Sequence, residues 1–116
     1  MNQIQVIQAL NSMSSLSWYY DHAPNGTRLP FGVIHCSQPQ GVRADDRTLM
    51  RRWEFRLDIY TAEKSLDLES DLEDVIEALE VPWTQDENFI DGQDCWEVEY
   101  SFEVIGNATR DEELHD

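Results

Sequence analysis

Two stretches of the chain alternate apolar and polar residues with a period of two. Between Leu49 and Tyr60, the residues Trp53, Phe55, Leu57 and Ile59 share one side, and Glu54, Arg56 and Asp58 share the other. Between Cys95 and Ile105, Trp96, Val98, Tyr100, Phe102 and Val104 share one side, and Cys95, Glu97, Glu99, Ser101 and Glu103 the other. Alternation of this kind, rich in aromatic and β-branched residues, predicts half-buried antiparallel strands. Two further stretches follow the period of a helix. Ile4, Ile7 and Leu10, with Val6 beside them, predict a first helix over residues 2 to 12. Leu68, Leu72, Val75, Ile76 and Leu79 form the apolar stripe of a second, with Ser65 or Thr61 as its N-cap. Acidic residues crowd its first turn, where the helix dipole favours them, and Pro82 stops it near Glu80.

Shorter signals fill the gaps. After the Ser-rich stretch come Trp18, Tyr19 and Tyr20, then a turn-rich segment from Asp21 to Gly26. Phe31 to Cys36 reads as a short strand, and so does Glu87 to Ile90, which Asp91-Gly92 turns back as a hairpin. Gly106 is expected to end the last strand. The order is then α-β-β-α-β-β. It predicts an α+β fold: a mostly antiparallel four-stranded sheet with helices packed on one face. Residues 1–106 are expected to form a single domain, and 107–116 an acidic, disordered tail. Ser37 to Thr48 is a loop longer than most hairpin connections, and such loops are often functional.

Charge narrows the classes of function. The chain has 24 acidic residues against 8 basic ones, a formal net charge of −16. Nonspecific binding to nucleic acid or to an anionic membrane is therefore not expected. No apolar run approaches the roughly 20 residues of a membrane span. The first ten residues carry no basic region of the secretory type, so a cytosolic origin with reduced thiols is expected for Cys36 and Cys95.

Catalytic chemistry finds little support. His22, His35 and His115 are scattered, and neither cysteine sits in metal-ligand spacing, so no metal and no cofactor is expected. Cys95 stands among carboxylates, which blunt a thiol, and His35 points away from Cys36 in a strand. Asp71, Asp74 and Glu77 lie opposite the apolar stripe and read as a solvated helix face. Asp45 and Asp46 with Arg43 and Arg47 read as a solvated loop or a polar contact with a neighbouring subunit in preference to a catalytic pair. Trp18 and Trp83 flank elements, as core lids or interface anchors. Arg52 and Arg56 on one long strand could pair with Glu97, Glu99 and Glu103 on the other.

Several short patches taken in order carry a resemblance. They are Leu29-Pro30-Phe31-Gly32-Val33-Ile34, then Ala44-Asp45-Asp46, then Leu57-Asp58-Ile59-Tyr60-Thr61-Ala62-Glu63-Lys64. An acidic helix from Glu69 to Glu80 follows, and a closing hairpin through Glu99-Tyr100. Over residues 29 to 105 the chain resembles the tail terminators and head–tail joining proteins of long-tailed phages. The resemblance implies a compact structural subunit and no enzyme. It implies a ring, commonly a hexamer, that caps the tail tube and joins it to the head connector. The implied partners are other copies of the chain, the tail tube protein and the connector or neck protein. The implied location is the tail or neck of a virion assembled in the host cytoplasm. The rival class is an acidic binding module, such as a DNA-mimic inhibitor, and the net charge is what motivates it.

Overall fold

The computed structural model describes residues 1–38 and 49–108, with side chains for 1–38 and 52–106. The first helix, α1, spans Gln3–Asn11. Asn2 caps it reciprocally: its side chain accepts the Gln5 N–H at 3.0 Å, and the Gln5 side chain accepts the Asn2 N–H at 2.8 Å. Val6 and Leu10 are its fully buried residues, while Ile4 and Ile7 are half-buried. The buried stripe is therefore rotated toward Val6 from the one that Ile4, Ile7 and Leu10 suggest.

Among the described residues five strands follow, where the sequence pattern suggests four. They are β1 (Trp18–Tyr20), β2 (Phe31–Ser37), β3 (Leu49–Thr61), β4 (Trp83–Ile90) and β5 (Cys95–Ala108). The sheet order is β1-β2-β3-β5-β4. β1 runs parallel to β2 and every other pair is antiparallel, so the sheet is mixed. The added strand is β1. Its three residues are too few to show a period, and their pairing depends on the free edge of β2. Gly32 admits the strand closely: a Cβ there would lie 2.5 Å from the Trp18 ring.

Two other boundaries move. β4 begins at Trp83, four residues before the expected Glu87, because it is an edge strand with six consecutive exposed residues and hence no alternation to read. β5 runs through Gly106 to Ala108. There the missing side chain leaves room for the Met1 backbone to lie against the strand, so Gly106 serves close packing and does not end the strand.

The second helix, α2, spans Leu66–Ala78 and is capped by Ser65, whose hydroxyl accepts the Leu68 N–H at 3.3 Å. Glu80 takes a left-handed conformation at φ 60°, just before Pro82. Both helices pack on one face of the sheet. Ile34, Trp53, Phe55, Leu57, Ile59, Val98, Tyr100, Phe102 and Val104 supply the sheet side of the core. Leu68, Leu72 and Ile76 of α2 close it with Val6 and Leu10 of α1. Phe55 and Phe102 stack with ring centres 5.3 Å apart. Trp96 has the parity of this face but lies half-buried at its end, edge-on to Phe89 at 5.2 Å, and is outside the core cluster. Trp18 and Trp83 are half-buried lids on the core margin.

The core face also holds a polar seam under α2. Tyr100, fully buried, donates its hydroxyl to Glu73 at 2.7 Å and accepts from Gln85 at 3.0 Å. Lys64 spans Glu69 of α2 and Glu87 of β4, at 2.7 and 2.9 Å. Asp71, Asp74 and Glu77 are exposed. One further feature is geometric. β2 pairs with β3 only as far as Glu54, and β4 pairs with β5 only back to Phe102. Among the described residues β3 and β5 continue beyond those points as a two-stranded ribbon, Leu49–Trp53 against Val104–Ala108.

Candidate functional site

The sheet's second face is built from the polar positions of the two long strands. Register sets Val33 beside Asp58, His35 beside Arg56, Asp58 beside Glu99 and Tyr60 beside Glu97. The segment from Asp21 to Leu29, together with this face, bounds an open pocket of about 570 Å³. Val33, His35, Arg56, Asp58 and Tyr60 are among its lining residues. This face is thus partly covered, and Asp58 is 1% exposed although its sequence pattern marks it as outward-facing.

A polar network organises the floor. His35 Nε2 and Arg56 Nη2 both meet Asp58 Oδ2, at 3.1 and 3.2 Å. The Tyr60 hydroxyl donates to Glu97 at 3.0 Å. Phe31 stacks on the Tyr60 ring at 5.0 Å, and Tyr19 meets Phe31 edge-on at 6.1 Å. Burial, then the hydrogen bond to Glu97, pushes the Tyr60 hydroxyl well above its ordinary range, so it stays a donor. Asp58, Glu97 and Glu99 each bring one carboxylate oxygen within 4.8 Å of the others. Burial raises the Glu99 carboxyl, Asp58 and Glu97 raise it further, and Arg56 pulls it back.

The shift at Glu99 has a sign that can be tested. A carboxyl raised on folding binds its proton more tightly in the folded state, so its charged form opposes folding at neutral pH. That opposition fades as pH falls through the raised value, and it is gone below the ordinary value of 4.5. In metal-free buffer Glu99→Gln should therefore melt at a higher temperature than the parent at neutral pH. The gap should close as the pH approaches 4.5. Thermal melts followed by circular dichroism across that range check it, and a gap independent of pH would contradict the assignment.

Nothing in this arrangement prepares a nucleophile. Burial pushes the Cys36 thiol up to about 11, and burial followed by Glu97 and Asp94 raises Cys95. The two thiols are free and lie on opposite faces of the sheet. His22 is an exposed turn residue 3.6 Å from Asp21. Of the expected cross-strand ion pairs, Arg52–Glu103 is present at 3.2 Å, while Arg56 turns to Asp58 along its own strand. Arg43, Asp45, Asp46 and Arg47, the expected subunit contacts, lie outside the described residues, as does His115. The grouping of Asp58 with Glu97 and Glu99 was not read from sequence. The signal for it was their shared parity on two strands that turn out to be neighbours.

No helix of the described residues is long and apolar enough to cross a membrane. No protein-family model matches the chain, and no curated protein matches it. Among solved structures the chain is similar to one from the "Virion of native gene transfer agent (GTA) particle". The likeness covers 89% of this chain and 92% of that one, with a TM-score of 0.53 and 10% sequence identity. At that identity what the two chains share is the fold.

Proposed function

We propose that the chain is a structural subunit of a phage or phage-like particle, and within it a tail-completion or tail-terminator protein. The observation that carries this reading is the fold shared with a gene transfer agent virion chain along nearly the full length of both. The element order that resembles the tail terminators points the same way. In this reading copies of the chain close into a ring, commonly a hexamer. The ring caps the tail tube and meets the head connector or neck protein. The contact between copies is heterologous, since a ring needs two different patches on each subunit. Arg43, Asp45, Asp46 and Arg47 are the residues assigned to one of them. An acidic lumen would let DNA slide without sticking. No step of this role requires an enzyme or a cofactor.

Loss of the protein from a producing strain should leave filled heads and separate tails, and adding the purified chain back should join them. Normal particles without it would overturn the reading. Replacing Arg43 and Arg47 by glutamate should keep the circular dichroism spectrum of the parent and abolish joining. Unimpaired joining would remove those residues from the interface. The rival reading, a DNA-mimic inhibitor, draws on the exposed acidic row Asp67, Asp71, Asp74 and Glu77 on α2. Salt separates the two. Ring closure brings like-charged subunits together, so sedimentation should show a discrete oligomer growing with salt, as the screening length falls to about 3 Å at 1 M. A monomer at every salt concentration would favour the mimic.

A further inference from the structure

Asp58, Glu97 and Glu99 have the geometry of ligands to one ion. Oxygens held about 2.4 Å from a calcium ion stand about 3.4 Å apart when cis and about 4.8 Å apart when trans. The three carboxylates each offer an oxygen within 4.8 Å of the other two. Asp58 and Glu99 face one another directly across β3 and β5, and Glu97 is the next residue of the same face.

On a chain with a net charge of −16, an acidic cluster alone means little. Asp58 is what distinguishes this one. Its side chain is 1% exposed, and both of its donors, His35 and Arg56, are spent on Oδ2. Oδ1 is closed to solvent and meets no hydrogen-bond donor among the described residues. A buried carboxylate oxygen left without a partner carries its desolvation cost uncompensated, and folded proteins rarely leave one so. A cation shared with the two glutamates would complete it.

We propose that Asp58, Glu97 and Glu99 bind one hard divalent cation, of the calcium, magnesium or manganese class, on the second face of the sheet. The donor set is all oxygen, which selects these ions over zinc. Outer partners already aim the ligands: His35 and Arg56 fix Asp58, and the Tyr60 hydroxyl fixes Glu97. The bound ion would tie β3 to β5 beside the pocket.

Calorimetric titration of the full chain with calcium chloride and with manganese chloride, at constant ionic strength, tests this. One site per chain is expected, with a Kd on the order of 10⁻⁴ to 10⁻³ M. Glu97→Gln and Glu99→Gln should each weaken binding about tenfold or more. The double variant Asp71→Asn and Asp74→Asn, on the exposed row of α2, should bind like the parent. Manganese should broaden the amide resonances of Asp58 and Val98 before those of α2. The proposal is overturned by the absence of saturable binding up to about 10 mM. It is equally overturned if the glutamine variants bind like the parent, if the α2 variant loses as much affinity as they do, or if broadening centres on α2. Circular dichroism of each variant separates lost binding from lost fold.

Discussion

Leu72→Ala should cost about 2–5 kcal/mol of stability. Leu72 is fully buried in the middle of α2 and belongs to the same cluster as Leu57, Val98 and Tyr100. Truncation removes three carbons of apolar contact, and the void cannot close easily because the cluster around it is drawn from both helices and three strands. The sheet below is stiff, and α2 is held at one end by the Ser65 cap and along its side by Glu73 on Tyr100. Against the roughly 5–15 kcal/mol that stabilises a typical domain, such a loss is a large share. Urea denaturation should show the midpoint fall with the slope unchanged. Leu66→Ala is the control, since Leu66 is 70% exposed in the first turn of the same helix. It should move stability by no more than about 0.5 kcal/mol. A loss at Leu72 below about 1 kcal/mol would mean that α2 does not hold the sheet face as described.

Gly32→Ala should cost about 1–3 kcal/mol although it adds a single methyl group. The added carbon would lie 2.5 Å from two carbons of the Trp18 ring, so the indole or strand β1 has to move. β1 has only three paired residues with which to resist. Replacing a strand glycine by alanine ordinarily stabilises by about 0.4–1 kcal/mol through the unfolded chain, so the measured loss is what survives that offset. As Trp18 leaves the core margin, tryptophan emission should shift to longer wavelength along with the drop in midpoint. Gly92→Ala is the matched control, because a Cβ at Gly92 meets nothing within 4 Å. Unchanged emission and midpoint for Gly32→Ala would show that the indole does not need that space.

The strands that carry the fold were legible because each has one apolar and one polar side. β3 declares its parity from Trp53 to Ile59 and β5 from Cys95 to Val104, and the α2 stripe names the helix that covers them. β1 and the first half of β4 were hidden for different reasons. β1 is too short to repeat, and β4 is paired on one side only and polar throughout from Thr84 to Asn88. Gly106 misled because a glycine that ends a strand and one that admits a neighbouring backbone read alike. The site was the least legible part. Parity placed Asp58, Glu97 and Glu99 on one face, but parity does not say which strands are neighbours. It also could not foresee that the segment from Asp21 to Leu29 helps to cover that face.

The ribbon of β3 and β5 beyond the sheet bears on how the chain finds its shape. Thr61 and Trp96 close a loop of about 35 residues, and Leu49 and Ala108 close one of about 59. The difference in closure entropy is small, about 0.5 kcal/mol, but the order is not symmetric. Once Thr61 meets Trp96 over the folded α2, each outward pair adds only two residues to an existing ladder. Pairing first at the ribbon would enclose everything between as slack chain. Connectivity therefore favours zipping from the α2 end outward. Among the described residues neither strand of the ribbon has a second strand beside it, so the ribbon is the part of the ladder that opens at least cost.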